Sequence, residues 1–221
     1  MAQGRLIVIE GLDGCGKSTQ LGAMQERFPD MRFLSFPDYA SDSGRLVRQY
    51  LDGAFPEPDP VHSAYSASSF YAADRYVNYK RCWEAAYREG AHFLSARYTT
   101  SNVIYQMTKL PRSEWESYCR WLYDYEYDKL GLPRPDAVIF LDVPVEVSQG
   151  LLSSRYAGDE QKKDIHEADT AYLRACREAA MYAAAREGWQ VLDCCRGDVM
   201  RPAGETSEEL AGLIGAALAK A

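Results

Sequence analysis

The chain has 221 residues, of which 47% are hydrophobic and 26% charged, and its formal net charge is −7. This composition predicts a folded globular domain, and the acidic balance argues against a nucleic-acid-binding surface, which is usually basic. No apolar run is long enough for a membrane helix, and no charged-then-apolar leader precedes the predicted first strand. We therefore expect a cytoplasmic protein that binds neither nucleic acid nor membrane.

Strands and helices are predicted to alternate along the chain, beginning with a strand at 5–10 and a helix at 17–28. The remaining predicted segments are strands at 32–36, 92–96, 137–142 and 189–192 and helices at 43–51, 61–89, 99–107, 113–130, 144–154, 166–187 and 205–218. Five short apolar strands alternating with helices predict an α/β fold in which helices cover both faces of a parallel sheet. We expect one domain over 1–221, with ligands at the carboxyl ends of the strands.

The most specific motif is G-x-x-x-x-G-K-S at 11–18, between the first strand and the first helix. Its glycines let backbone N–H groups turn toward phosphate oxygens, and the following helix directs its positive end at the same anion. Lys17 can reach the β- and γ-phosphates, and the Ser18 hydroxyl is suited to Mg²⁺. The pattern predicts a P-loop that holds nucleotide phosphates through Gly11, Asp13, Gly14, Cys15, Gly16, Lys17, Ser18 and Thr19.

A P-loop does not by itself say what happens to the nucleotide. The chain contains no guanine-reading N-K-x-D, which argues against a GTPase, and it is short for a motor or transporter ATPase. The polar segment at 155–164 is interpreted as a lid that brings Arg155, Lys162 and Lys163 over the phosphates, with a solvated surface loop as the alternative. These features favour a phosphotransferase that acts on a small molecule.

Further motifs make this more specific. They are E-G-L-D-G-C-G-K-S-T-Q at 10–20, F-P-D-Y at 36–39, A-A-D-R at 72–75, R-Y-T-T-S-N followed by Y-Q at 97–106, and P-D-A-V-I-F-L-D-V at 135–143. In this order they resemble thymidylate kinases over residues 5 to about 173. The resemblance implies a P-loop NTPase three-layer sandwich with a lid at about 155–165. It also implies transfer of a phosphoryl group from ATP to dTMP with Mg²⁺.

The resemblance assigns Arg75 and Arg97 to the acceptor phosphate, which suits the fork of a guanidinium group. Tyr71 stands where the family usually has a phenylalanine stacked on thymine, although a core tyrosine is the alternative. Asn102 is suited to a pyrimidine edge, because an amide offers both a donor and an acceptor. Tyr105 resembles the family tyrosine whose ring blocks a 2′-hydroxyl. The full predicted acceptor site is Asp13, Phe36, Pro37, Tyr39, Leu51, Tyr71, Arg75, Arg97, Tyr98, Ser101, Asn102, Tyr105, Gln106, Asp164 and Glu167. The catalytic residues are predicted to be Lys17, Arg97, Arg155 and Lys163, and the metal ligands Ser18 and Asp13.

The sequence departs from the family pattern at charged positions. Ala96 replaces an aspartate that is expected to hold Mg²⁺ through water and to orient arginines. Either Asp13 or Glu10 supplies that carboxylate, or the chain is a slow or inactive variant. Gly14 stands where one branch of the family has an arginine, and Ile165 follows Asp164 where the lid usually has one. The transition-state cation is therefore expected from the lid.

Two other functions stay open at this point. One is a kinase for dUMP, deoxycytidine or another pyrimidine acceptor, and the other is a nucleotide-binding regulator without turnover, which Ala96 keeps open. Large apolar and aromatic residues on the predicted helix at 113–130, together with the usual state of the family, predict a homodimer. These residues are Trp115, Tyr118, Trp121, Leu122 and Tyr125.

Overall fold

The computed structural model describes residues 3–155 and 169–219. Its main sheet has five parallel strands in the order β2-β3-β1-β4-β5. The strands are β1 (Leu6–Gly11), β2 (Arg32–Ser35), β3 (Phe93–Ala96), β4 (Ala137–Asp142) and β5 (Gln190–Asp193). In the register, Ile9 of the central strand lies between Ala96 and Ile139, so the carboxyl ends of β1, β3 and β4 meet at one edge. The predicted five-stranded parallel sheet is confirmed.

Helices cover both faces of this sheet. They are α1 (Lys17–Arg27), α2 (Asp42–Leu51), α3 (Pro60–Asn78), α4 (Glu84–Arg88), α5 (Thr99–Tyr105), α6 (Trp115–Tyr123), α7 (Val145–Arg155), α8 (Thr170–Glu187) and α9 (Ala203–Ala219). No helix in the described ranges is both long and apolar enough to span a membrane.

Two apolar clusters, one on each face of the sheet, explain why β1 is buried along its whole length. Side chains alternate along a strand, so Leu6 and Val8 join the cluster under α3, α5, α6 and α8. Ile7 and Ile9 face the opposite way and pack with residues of α1 and α9. A strand covered on both faces reads as a continuous apolar run, and this made β1 and β4 recognisable in the sequence.

The prediction of one continuous helix over 61–89 was wrong. A π-helical turn at Tyr79–Trp83 separates α3 from α4. Tyr79, Trp83 and Tyr87 are four residues apart, and their rings contact one another edge-on in sequence. The wider turn keeps these three side chains on the face that packs against the sheet. A sequence pattern read with the regular α-helical period does not predict such a turn.

The predicted helix over 113–130 is also interrupted. A 3₁₀ turn at Arg112–Glu114 precedes α6, and a π-helical turn at Asp124–Lys129 follows it. Sequence reasoning also missed an antiparallel pair of two-residue strands, β6 (Cys195–Arg196) and β7 (Val199–Met200). These strands are too short to show a period of alternation. Both the interrupted helix and this strand pair lie close to the candidate active site.

Candidate active site

The P-loop connects β1 to α1 at the carboxyl edge of the sheet. Gly14 and Gly16 have φ angles of 79° and 87°, a left-handed conformation that only glycine adopts at little cost. A Cβ atom at Gly14 would also lie 2.6 Å from the backbone oxygen of Ser148 in α7. The close approach of α7 therefore leaves no room for the arginine that some family members carry at this position.

Lys17 occupies the first turn of α1 and folds back over the loop. Its Nζ donates hydrogen bonds to the carbonyl oxygens of Gly11 (2.6 Å) and Leu12 (2.8 Å). The ammonium group is thereby held at the end of β1, and Lys17 lines a cavity whose wall includes the P-loop from Asp13 to Thr19. This is the position from which a lysine can reach phosphate groups bound in the loop.

The cavity brings some of the predicted acceptor residues to the P-loop. The predicted acceptor residues Asp13, Phe36 and Arg97 line it, and so does Ala96. Further lining residues were missed in the sequence, and they come from α7, β7, the start of α9 and the adjoining loops: Leu151, Leu152, Cys194, Met200, Arg201, Ala203 and Thr206. The Thr206 hydroxyl is buried without a hydrogen-bond partner in the described part of the chain. No motif marks this part of the wall, because the last part of the sequence shows only an apolar helical pattern.

Arg97, Asp13 and Tyr105 form a polar cluster on the cavity wall. The Arg97 Nη2 donates to Asp13 Oδ1, while the Tyr105 hydroxyl donates to Asp13 Oδ2 (3.3 Å). Burial works against the Asp13 charge, but Arg97 and Lys17 hold the pKa of this carboxyl below its usual range. Arg97 has a φ of 64°, a strained conformation for a residue with a side chain, and such strain is concentrated at functional sites.

Glu10 is a second carboxylate near this edge, but it is fully enclosed. It accepts hydrogen bonds from the Tyr98 N–H (3.1 Å), Thr100 Oγ1 (2.7 Å) and Ser101 Oγ (2.8 Å). Burial raises its pKa, and Arg97 opposes that effect only in part. Of the two carboxylates that could replace the one missing at Ala96, Asp13 therefore faces the cavity and Glu10 does not. The predicted acceptor residues Tyr98 and Ser101 lie beneath the site as the partners of Glu10.

A second polar cluster surrounds Glu126 in the π-helical turn after α6. Arg75 donates to its carboxylate from Nε (2.7 Å) and Nη2 (2.5 Å), Thr99 from Oγ1 (2.7 Å) and Asn102 from Nδ2 (3.2 Å). Burial opposes the Arg75 charge, but Glu126 outweighs it and raises the pKa of the guanidinium. Sequence reasoning found Arg75 and Asn102 and missed Glu126, since one acidic residue in D-Y-E-Y carries no distinguishing signal.

Asp74, next to Arg75, anchors the F-P-D-Y segment. Its carboxylate accepts from the backbone N–H of Asp38 (2.9 Å) and from Ser43 Oγ (2.8 Å). The Phe36–Pro37 bond is cis, Phe36 is buried, and Tyr39 is 40% exposed with the Arg48 guanidinium 5.0 Å from its ring centre. The aspartate of the A-A-D-R motif therefore holds the F-P-D-Y segment in place, and its arginine holds the buried cluster around Glu126.

Among the described residues, the other predicted acceptor residues lie around α2, α3 and α5 and do not line the cavity. Tyr71 is half-buried, with its ring edge-on to Tyr50 at 6.2 Å, and Leu51 is the last residue of α2. Gln106 is buried, and its Oε1 has no partner among the described residues. The side chain of Arg155 and the residues Lys162, Lys163, Asp164 and Glu167 lie outside the described part of the chain, as does nearly all of the predicted lid.

A metal site is not preformed in the described ranges, since no group of three or more His, Cys, Asp or Glu side chains is placed to hold an ion. Ser18 and Asp13 both belong to the cavity wall. They offer only oxygen donors, the ligand type that Mg²⁺ prefers while it keeps several waters. The donor set fits the cation that the sequence predicts.

Comparisons with known proteins show which family and fold this chain is similar to. A family model described as thymidylate kinase matches residues 9–197. A protein named "Probable thymidylate kinase" from Pyrobaculum aerophilum is 31% identical over 209 residues, which cover 94% of this chain and 95% of that protein. The thymidylate kinase of Mycobacterium tuberculosis is 29% identical over 191 residues, which cover 83% and 87%. The structure of thymidylate kinase from Candida albicans matches with a TM-score of 0.73 at 19% identity, covering 98% of this chain and 93% of that one.

Proposed function

We propose, because the chain belongs to the thymidylate kinase family, that it transfers the γ-phosphoryl group of ATP to dTMP and forms dTDP and ADP. The observation that carries this proposal is the Arg97–Asp13 pair, which lines the same cavity as Lys17 and the P-loop. One cavity thus offers a donor-phosphate cradle and, on its wall, a guanidinium group suited to a second phosphate.

In the proposed reaction, an oxygen of the acceptor phosphate attacks the γ-phosphorus while the bond to the β-phosphate oxygen breaks. This chemistry needs alignment and charge compensation more than covalent help from the protein. The N–H groups of the P-loop hold the donor phosphates, Lys17 moves from its carbonyl partners to the β- and γ-phosphates, and Arg97 binds the acceptor phosphate. Ionised Asp13 keeps Arg97 oriented toward the cavity.

The two predicted acceptor arginines divide the work in this proposal. Arg97 and Asp13 keep 19% and 25% of their side-chain surface exposed, whereas Arg75 and Glu126 keep 2% and 0%. A guanidinium whose charge is already matched by a buried carboxylate attracts a phosphate dianion only weakly. Arg97 therefore takes the phosphate, and Arg75 belongs with Tyr71 and Asn102 on the side that receives the rest of dTMP.

Mg²⁺ would be held by Ser18 and Asp13 in the proposed complex. When bound, it would neutralise charge on the transferred phosphoryl group. Asp13 already has a depressed pKa, so it is ionised and ready as an oxygen ligand at neutral pH. Its neighbour Ala96 cannot contribute a ligand.

We also propose a cytoplasmic location and a catalytic role for the lid cations Arg155 and Lys163. We propose a homodimer as well, but Trp115, Tyr118 and Leu122 are buried within the chain itself. The rings of Trp121 and Tyr125, which stack with a centroid distance of 5.6 Å, keep partial exposure. Sedimentation velocity on the purified protein measures the oligomeric state directly.

The proposed activity is tested by following ADP release from ATP with thymidine, deoxycytidine, dTMP, dUMP and dCMP as acceptors. We expect dTMP to give the highest kcat/KM, with dTDP and ADP formed in equal amounts. A preference for a nucleoside or for another monophosphate would replace the proposal with the pyrimidine kinase alternative. Binding of ATP and dTMP without product would replace it with the regulator.

A further inference from the structure

Glu126 plays no part in the reaction as proposed, although its buried carboxylate accepts four hydrogen bonds, three of them from the predicted acceptor residues Arg75 and Asn102. It joins Arg75 of α3 to Thr99 and Asn102 of α5. We propose that Glu126 is a positioning residue that fixes the hydrogen-bonding pattern of Arg75 and Asn102 and so sets which acceptor base the site takes. This inference rests on the proposed function, because it assumes that the acceptor is a pyrimidine nucleotide.

The hydrogen bonds fill the carboxylate completely. Its Oε2 accepts from Arg75 Nε and Thr99 Oγ1, both at 2.7 Å. Its Oε1 accepts from Arg75 Nη2 at 2.5 Å and from Asn102 Nδ2 at 3.2 Å. Each oxygen thus receives two donors, which is the full capacity of an ionised carboxylate. Such a cluster admits one arrangement of its donors, because moving one of them would leave a buried group unpaired.

This arrangement decides how the Asn102 amide is turned. Its Nδ2 donates to Glu126 and also to the backbone oxygen of Ser68 (3.3 Å). A flipped amide would place its oxygen against the carboxylate, where two acceptors repel each other. Asn102 therefore keeps its NH₂ group on Glu126 and directs its carbonyl oxygen away from it, and Asn102 is 1% exposed.

The consequence for a base follows from its hydrogen-bonding edge. Thymine and uracil present an N–H donor beside a carbonyl oxygen, whereas cytosine presents an unprotonated ring nitrogen beside an amino group. An Asn102 oxygen that accepts and an Arg75 group that donates match the first edge and oppose the second. A site built to pair with one pattern discriminates strongly against the other, because the mismatched groups would stay buried and unpaired.

The π-helical turn explains how an acidic residue reaches this position. Asp124, Asp128 and Lys129 of the same turn are exposed, while Glu126 is fully buried. The Glu126 carbonyl accepts from the Leu132 N–H (3.1 Å), and the neighbouring Tyr127 ring stacks on Tyr123 at 5.3 Å. The turn is thus held from both sides, which gives Glu126 the rigidity that a positioning residue needs.

Glu126→Gln tests the inference, with Glu187→Gln as the matched control. Glu187 is also a partly buried glutamate that accepts from side chains, namely the Tyr123 hydroxyl (2.6 Å) and Trp189 Nε1 (3.1 Å), but it contacts none of the predicted acceptor residues. A glutamine at 126 offers an NH₂ group to Asn102, so that the Asn102 amide can turn over and present its own NH₂ group. We expect the ratio of kcat/KM for dTMP to kcat/KM for dCMP to fall about tenfold or more.

In the same experiment, the KM for ATP should change by less than about twofold, because the P-loop wall is untouched. Glu187→Gln should leave both the ratio and the KM for ATP at their original values. An unchanged ratio in a folded Glu126→Gln protein would overturn the inference. A parallel loss for dTMP, dCMP and ATP would also overturn it, since that is the result of a merely structural role.

If Glu126→Gln does not fold, Thr99→Val removes one donor while the charge pair stays intact. A shift of the same ratio in the same direction, by about two- to threefold, supports the inference, and no shift contradicts it. Failure of the proposed function is recognised separately, because the original protein would then form no dTDP. Calorimetric titration of dTMP and dCMP into the original protein and Glu126→Gln would still decide the role of Glu126.

Discussion

Arg75 and Arg97, which the sequence places in one acceptor site, are paired in the structure with different carboxylates in different surroundings. Arg97 and Asp13 lie on the cavity wall with about a fifth to a quarter of each side chain exposed. Arg75 and Glu126 are sealed under α3 and α5, with two further donors on the carboxylate. The first pair can exchange a partner for phosphate, whereas the second cannot do so without leaving a buried charge.

An arginine cannot be assigned to a phosphate from its residue type alone. Accessibility and the charge that already surrounds the guanidinium decide it. Backbone geometry points the same way, since Arg97 has a positive φ and Arg75 lies in a regular helix. We therefore place the conformational strain at the cavity, and we expect that breaking the buried pair costs more stability than breaking the accessible pair.

The largest effect is expected from Lys17, which lines the cavity together with Arg97 and Asp13. Lys17→Ala should lower kcat by about a thousandfold or more, because the donor phosphates lose the cation that compensates their charge. The Kd for dTMP, measured by calorimetry, should change by less than about threefold. A similar loss of dTMP binding would show that the two halves of the site are not separable, and the comparison would fail.

Breaking the two arginine–carboxylate pairs should lower the free energy of unfolding by different amounts. Arg75→Met leaves the Glu126 carboxylate buried and unpaired, which costs about 3–5 kcal/mol of unfolding free energy. Arg97→Met leaves Asp13 partly in contact with the cavity and should cost about 1 kcal/mol or less. Urea denaturation of both proteins measures the difference. Equal losses would mean that exposure does not distinguish the pairs.

A smaller effect on kcat is expected from a substitution at Ala96, on the side of the accessible Arg97–Asp13 pair. It lines the cavity at the end of β3, beside Arg97. If the missing carboxylate limits the rate, Ala96→Asp should raise kcat at saturating Mg²⁺ by about fivefold, near 1 kcal/mol in the barrier. Ala96→Asn, which has the same shape without the charge, is the control. No gain for the aspartate variant would indicate that Asp13 already fills this role.

The smallest effect concerns pH and contrasts the partly exposed Asp13 with the enclosed Glu10. The pKa of Asp13 is lowered in the folded state, so its contribution to stability is present above its ordinary pKa and is lost as pH falls. The pKa of Glu10 is raised, so its contribution favours folding at low pH and is lost as pH rises above its ordinary value. Denaturation curves for Asp13→Asn and Glu10→Gln between about pH 3 and 8 should lose slopes of opposite sign. Slopes of the same sign would contradict these assignments.

The sequence was most informative where one physical rule dominates. A buried parallel strand must be apolar throughout and a P-loop needs its glycines, so β1, α1 and the phosphate cradle were predictable. The π-helical turns were not, because a single extra residue leaves no periodic signal, and one of them carries Glu126. The cavity wall from Met200 to Thr206 was missed for a similar reason, since strands of two residues show no pattern.

The central claim is that Arg97 exchanges its partner for the acceptor phosphate while Arg75 stays on Glu126. A crystal structure of the protein with dTMP and a non-hydrolysable ATP analogue tests it most directly. We predict Arg97 within hydrogen-bonding distance of the dTMP phosphate and both Arg75–Glu126 hydrogen bonds intact. An Arg75 guanidinium that has left Glu126 to bind the phosphate, with Arg97 still on Asp13, would contradict the account.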